Sequence, residues 1–284
     1  MKVAETIQSG RKLVQTARRH GKKIGLVPTM GALHAGHISL IETAKRKCDF
    51  VVVSIFVNPT QFGPGEDFRK YPRPLKADLQ LCKKAGVDLV FVPTAKEMYS
   101  FENLVWIDVE KLAESLCGRF RPGHFRGVAT VCSKLFNVVL PDIAFFGQKD
   151  AQQGIIIKRM VADLNMPLKI VICPTIREKS GLARSSRNQY LTARQKQDAA
   201  AIYKSLRKCR QLIKSGVRDS SRIKLQMKKI LNRVPSLAIQ YIAIVDAQTL
   251  QDLKRVTGKI LIAVAVKLGT TRLIDNIMMD TGTK

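Results

Sequence analysis

Five short apolar runs rich in β-branched residues recur along the first two-thirds of the chain: KIGLVPT, DFVVVSIFVN, VDLVFVPT, IAFFGQ and KIVICPTI. Each is followed by a polar or glycine-containing turn and then by a segment compatible with a helix. Runs that stay apolar on successive residues belong to strands covered on both faces, and strands separated by helices pair in parallel. The pattern predicts an open parallel sheet with helices on both sides. It changes after about Thr175, where a Ser/Arg/Gly-rich loop leads to two helices and then to SLAIQYIAIVDA, KILIAVAVKLG and TRLIDNIMM, strands of a second, smaller sheet. A division into residues 1–175 and 176–284 is expected.

The longest apolar run, Ile260 to Val266, is far too short to cross a bilayer, and the N-terminus never builds the apolar core of a secretory signal. No membrane partner is expected, and the cytoplasm is the default location. Six cysteines with no CxxC spacing sit mostly among apolar neighbours, which reads as reduced, buried thiols. The unusual quantity is charge: 49 Lys plus Arg against 22 Asp plus Glu, a formal +27. Such an excess favours polyanionic partners. Between Lys204 and Arg233, eleven basic residues face one acid, interleaved with aliphatic residues at helical spacing. That pattern is two amphipathic helices with solvated basic faces, and with aromatics at 6% no stacking platform for nucleic acid accompanies it. Nucleic acid is therefore not the expected partner.

Candidate chemistry begins at PTMGALHAGH, Pro28 to His37. KIGLVPT reads as the first strand and GHISLIETAKRK as the helix after it, so His34 and His37 fall on a strand-to-helix turn, where open parallel sheets bind ligands. A helix N-terminus offers unpaired N–H groups and a positive dipole end to phosphate. Gly31, Ala32, Ala35 and Gly36 keep bulk away from the backbone, and two imidazoles can donate hydrogen bonds to phosphate oxygens whose charge grows during reaction. Zinc suits the pair less, since no Cys, Asp or Glu cluster nearby completes a shell. No metal ligand is assigned.

The HAGH string matches the HIGH signature of adenylylating nucleotidyltransferases, and SGLARSSRNQYL, Ser180 to Leu191, stands where that superfamily carries a basic, serine-rich loop. PTMGALHAGH, SIFVNPTQFGPGEDFRKYPR, RPGHFRGVATVCSKLFNVVLPD, FGQKDAQQ and GLARSSRN, in that order, resemble the pantothenate synthetase (pantoate-β-alanine ligase) family. The resemblance runs from about Val27 to Leu191. It implies an α/β fold, a Rossmann-like parallel sheet with helices on both faces plus a smaller α/β C-terminal lid domain, and a homodimer. It also implies ATP-dependent ligation of pantoate and β-alanine to pantothenate through a pantoyl adenylate, releasing AMP and pyrophosphate. By matching position, His34, His37 and Lys149 are the catalytic residues. The nucleotide is met by His34, His37, Met30, Gly36, Gly147, Lys149, Asp150, Ser185, Ser186 and Arg187. Gln61 and Gln153 are the amides for pantoate, Asn58 fixes the shape of its loop, and His124 and Arg126 support the site or a subunit contact.

The chain departs from the family at three places. After the YPR segment, where several acids are common, it has Lys76, Ala77 and Asp78, so Mg²⁺ is expected to arrive on ATP, held by phosphate and water. Arg184 and Ser180 stand where an apolar and an acidic residue are common; both bear on nucleotide affinity or lid closure, and neither removes a named group. The rival readings are a related HIGH-type nucleotidyltransferase acting on RNA and a basic RNA-binding protein.

Overall fold

The computed structural model describes residues 1–99 and 102–282. The expected α/β architecture is present. Strands β1 (Lys2–Ala4), β2 (Ile24–Thr29), β3 (Phe50–Ile55), β4 (Leu89–Phe91), β5 (Ile143–Gly147) and β6 (Lys169–Cys173) form a parallel sheet in the order β1-β4-β3-β2-β5-β6. The chain runs outward from β2 through β3 to β4, then returns to lay β5 on the other side of β2. The strands that part in opposite directions are thus β2 and β5, and a crevice opens at their carboxyl ends. Edge strand β1 has no counterpart in the sequence pattern, because three residues are too few to show a period.

Alternation along the strands explains why their sequences are apolar throughout. Ile24, Leu26, Val52, Ala144 and Phe146 pack with Val14 of α1 (Ile7–Arg19), Met98 of the short α4 (Ala95–Met98), Val131 and Leu135 of α6 (His124–Val139), which follows the short α5 (Cys117–Phe120), and Ile157 of α7 (Ala151–Asp163). Val27, Val51, Val53 and Phe145 face the other way, against Leu40 and Ile41 of α2 (Ala35–Lys45) and Cys82 of α3 (Leu75–Lys84). All six cysteines are buried and free, as their apolar surroundings predict.

The second sheet is antiparallel, β7 (Leu237–Asp246), β8 (Lys259–Leu268) and β9 (Thr271–Asp280) in that order. One face, with Ile244, Ile262, Val264 and Ile277, packs on Ile202, Leu206 and Ile213 of α8 (Ala193–Lys214) and Ile223 and Met227 of α9 (Ser220–Leu231). The other, through Val245, Leu261 and Ala263, meets Leu116 and Ala151 of the first unit. Lys204, Arg207, Lys208, Arg210, Lys214, Arg222, Lys228, Lys229 and Arg233 are exposed, while Arg218 donates to the Ile213 carbonyl and Lys224 reaches Asp252 at 3.0 Å. The basic helices therefore turn most of their charge to solvent. No helix among the described residues is long and apolar enough to cross a membrane.

One close approach in this framework serves the site. In the first turn of α6, Gly127 lies against the backbone of Thr60 and Gln61, and a methyl group there would overlap the Thr60 carbonyl. Neither partner is a flexible side chain that can swing aside. Gly127→Ala is expected to destabilise the protein by roughly 1–3 kcal/mol, the usual cost of overpacking, read as a lower urea midpoint. An unchanged midpoint would contradict the contact.

Candidate active site

The turn after β2 is tied down from within and from α3. Thr29 Oγ1 donates to the Ser54 carbonyl at 2.7 Å and accepts from Gly31 N–H at 3.1 Å, and Ala32 is held at a left-handed φ of 50°. Asp78, only 1% exposed, accepts from the N–H groups of Ala32 and Leu33, both at 2.8 Å. Burial pushes its carboxyl up and the two amides oppose that, leaving it above the ordinary value. The one acid after the YPR segment is thus engaged in holding the histidine turn, a role its sequence position does not reveal.

The histidines cap α2 reciprocally. His34 Nδ1 accepts from Gly36 N–H at 3.1 Å, and His37 Nδ1 accepts from His34 N–H at 3.3 Å. This is the two-way arrangement that Ser/Thr and Glu/Gln make at ordinary helix starts, built here from imidazoles. An Nδ1 that accepts carries no proton, so each neutral ring keeps its proton on Nε2, which has no hydrogen-bond partner among the described residues. The rings lie 4.1 Å apart, and a Cβ on Gly36 would come within 2.9 Å of the His34 ring. Burial, then Lys149 and Arg184, lower the His34 pKa to about 4. Burial, then His34, lower that of His37 to about 3. Both are neutral donors at physiological pH.

Across the crevice, the chain leaves β5 through a short 3-10 helix, Gln148–Asp150, and enters α7. Lys149 Nζ lies 3.5 Å from Asp150 Oδ1. Burial works to raise the Asp150 carboxyl, but Lys149 and Arg187 outweigh it and hold it below the usual range. Nearly half of that side chain remains exposed, at 48%, so the carboxylate is ionised and reachable.

A third wall is the 3-10 turn Pro59–Gln61. Asn58 accepts from Thr60 Oγ1 and Tyr99 Oη, both at 2.9 Å, and donates to Gln61 Oε1 and the Gly127 carbonyl, both at 3.2 Å. Gln61 Nε2 lies 3.0 Å from Met30 Sδ, joining this wall to the histidine turn. His124 is set between Arg121, whose Nη1 is 2.9 Å from Nε2, and the Gln61 carbonyl, 2.8 Å from Nδ1. Since a guanidinium only donates, Nε2 accepts and Nδ1–H donates. Burial and then Arg121 lower the His124 pKa to about 4. Arg121 itself pairs with both oxygens of Glu66 at 2.6 Å. Arg126 instead lies over the Trp106 ring, 4.7 Å from its centroid.

The serine-rich loop closes the cleft. Ser185 Oγ accepts from Arg187 N–H at 3.3 Å, Ser186 Oγ lies 3.0 Å from Tyr71 Oη, and Arg187 forms a bidentate pair with Asp67 at 2.8 Å. Met30, His34, Gly36, His37, Gln61, Gly147, Lys149, Asp150, Gln153, Ser185, Ser186 and Arg187, scattered through the sequence, all line this one cleft, and so does Arg184. Asp67, Glu66, Tyr71, Asp78 and Arg121 hold the walls of this cleft without being marked as site residues by any motif. The density of Pro and Gly in PTQFGPGEDFRKYPRP marks the loop of Glu66, Asp67 and Tyr71 as functional, but nothing local marks the partner of each, and nothing local marks Asp78 on α3 or Arg121 before α6. Among the described residues, no group of three or more His, Cys, Asp or Glu side chains is gathered to hold a metal.

The sequence profile of the pantoate-β-alanine ligase family matches residues 2–278. The chain belongs to that family. It is 51% identical over 280 residues to the pantothenate synthetase of Moorella thermoacetica, with 99% of each chain covered. It resembles the crystal structure of pantothenate synthetase from Thermus thermophilus with a TM-score of 0.93, at 41% identity over 98% of this chain and 99% of that one. The pantoate-β-alanine ligase of Francisella tularensis, solved in complex with β,γ-ATP and β-alanine, aligns with a TM-score of 0.81 at 38% identity over 99% and 100% of the two chains. Against this family background, the imidazole cap gives the HxGH turn a second use: the rings that line the cleft also hold the helix start.

Three depressed histidines make a pH prediction. Their folded pKa values, about 4, 3 and 4, lie below the ordinary 6.5, so the unfolded chain takes up protons first as pH falls. Stability from keeping these rings neutral is whole above pH 6.5 and is lost towards pH 4. Asp78 and Asp275, whose carboxyls are raised, oppose the trend. The melting temperature of the ligand-free protein should fall less steeply between pH 6.5 and 4.5 in His34→Gln than in the parent. Equal slopes would show that His34 is not held neutral.

Proposed function

We propose that this chain joins pantoate to β-alanine at the expense of ATP. A carboxylate oxygen of pantoate attacks the α-phosphorus, pyrophosphate leaves, and the amine of β-alanine then attacks the acyl carbon of the adenylate. The amine loses a proton and AMP departs. Adenylation converts an unreactive carboxylate into an acyl group with a good leaving group, so the protein positions reactants and offsets charge. Membership of the family across residues 2–278 supports the reading. The observation that carries it is one cleft at the β2/β5 crevice lined by both histidines, Lys149, Asp150 and the serine-rich loop.

In this reading the Nε2–H groups of His34 and His37 donate to ATP phosphate oxygens without adding positive charge of their own. Lys149 lies between the pantoate carboxylate and the α-phosphate, where a compact ammonium offsets charge on both. Asp150 accepts from the ribose hydroxyls. Met30, Gly36 and Gly147 line the nucleotide pocket, and Ser185, Ser186 and Arg187 cap the phosphates. Gln61 and Gln153 hold pantoate with amides able both to donate and to accept. Mg²⁺ enters on the nucleotide, held by phosphate and water. Residues 1–175 carry the nucleotide and pantoate, residues 176–284 cover them, and the protein works as a homodimer in the cytoplasm.

Incubation with ATP, Mg²⁺, pantoate and β-alanine should yield AMP and pyrophosphate only when pantoate is present; ADP formation would overturn the adenylate route. His37→Ala and Lys149→Ala should each lower kcat by about a hundredfold or more, the scale of losing one donor to a transition state. Because His37 also caps α2, its variant is compared after thermal unfolding has shown it folded. Near-native turnover in both would remove these residues from the mechanism.

A further inference from the structure

The residue that holds Lys149 in place comes from the other sheet. Asn276, on β9, is 4% exposed. Its Nδ2 donates to the Gln148 carbonyl at 2.8 Å and to the Lys149 carbonyl at 2.9 Å, and its Oδ1 accepts from Gln148 Nε2 at 3.4 Å. Those two carbonyls belong to the peptide planes on either side of the Lys149 Cα. With only two soft dihedrals per residue, pinning both planes fixes the direction of the Lys149 Cα–Cβ bond. The neighbouring residue acts on the serine-rich loop. Asp275 binds Arg177 through both oxygens, at 2.5 and 2.9 Å, and Arg177 also donates to the Gly181 carbonyl at 3.1 Å and lies 3.8 Å over the Tyr203 ring of α8. Two consecutive residues of one strand thus tie down two of the loops that bring donors to the cleft, the turn after β5 and the serine-rich loop.

We propose that Asn276 is a positioning residue for Lys149, so that the cation is aimed at the reacting atoms only while β9 is docked against the turn after β5. The proposal rests on the reading of Lys149 as the cation of the adenylation step, and it goes beyond that reading by adding a residue that touches no substrate. An Asn276 amide that served packing alone would have no reason to act through one side chain. Its removal would cost the same whether or not an ammonium stood at position 149.

That difference is the test. Asn276→Ala and Asn276→Ser are made in the full-length protein, alone and together with Lys149→Ala, and AMP-linked product is followed in single turnovers with labelled ATP and pantoate. With Lys149 present, Asn276→Ala should slow adenylation roughly 10- to 100-fold, the scale of misplacing a reacting group by about an ångström, while the KM for ATP changes less than about threefold. In the Lys149→Ala background the same change should cost less than about twofold, because residues acting through one another are not additive. Serine, which keeps one donor, should recover part of the rate. Equal fold-losses in the two backgrounds would overturn the proposal, as would a folded Asn276→Ala variant working within about twofold of the parent. Should Asn276→Ala lose its cooperative unfolding transition, Asn276→Ser in the two backgrounds carries the same comparison. A parent protein that forms no pantoyl adenylate and pyrophosphate from pantoate and ATP overturns the ligase reading itself. A parent that turns over while its losses add overturns the role of Asn276 alone.

Discussion

The parting of β2 and β5 is the constraint on which the remaining geometry depends. Because the chain fills one side of β2 with β3 and β4 before returning, the loops after β2 and β5 diverge and leave a crevice between them. The sheet supplies that opening without any side chain being specified. What the sequence must then provide is two turns able to stand at its rim, and both are built by backbone capture from a distance. Asp78 takes the N–H groups of Ala32 and Leu33 on one side, and Asn276 takes the carbonyls of Gln148 and Lys149 on the other. A buried carboxylate presented to donors and an amide presented to acceptors are chemically opposite solutions to the same problem of stiffening a loop.

The histidine turn joins stability to chemistry in one set of hydrogen bonds. An imidazole that caps a helix through Nδ1 has its tautomer decided by that contact, and burial keeps the second proton off. The resulting Nε2–H donors are neutral, so they add no charge repulsion towards Lys149 or Arg184 when the cleft is empty. Glycine at position 36 follows from the same contact, since the His34 ring folds back over the helix start where a methyl would stand. The motif His-x-Gly-His therefore has a structural meaning beyond a list of ligands: ring, space for the ring, and second ring belong to one cap.

Sequence reading reached the parallel sheet because its strands are covered on both faces and so are apolar throughout. It reached the second sheet as three apolar runs after the basic helices, without its antiparallel pairing. It assembled the cleft's residues from motif order. It left β1 undetected, since a three-residue edge strand shows no period, and it gave Asp78 no structural part, because its partners lie 45 and 46 positions earlier. Asn276 was equally hidden: TRLIDNIMM reads as a strand whichever way its amide points, and its partners are 127 and 128 positions away. Local pattern reveals which segments are strands and turns. It carries no record of which distant side chain closes a backbone hydrogen bond, and the positioning of this site is made almost wholly of such bonds.

The same distinction resolves the protein's large positive charge. Around the cleft, cations stand with carboxylates: Arg187 with Asp67, Arg121 with Glu66, Arg177 with Asp275, Lys149 with Asp150, and Arg184 with Glu178 at 3.7 Å. The exposed faces of α8 and α9 carry a large share of the remaining excess, the stretch from Lys204 to Arg233 setting eleven basic residues against Asp219 alone. Pairing inside the cleft keeps its walls together before any anion enters, which unpaired cations at this spacing would oppose by mutual repulsion. A triphosphate must then win its contacts from ion pairs already formed, and it gains most where it accepts from groups that carry no competing partner. The neutral Nε2–H donors of His34 and His37 are such groups. In the proposed reading, recognition of nucleotide by this cleft is accordingly governed by directed hydrogen bonds at the α2 helix start more than by net charge.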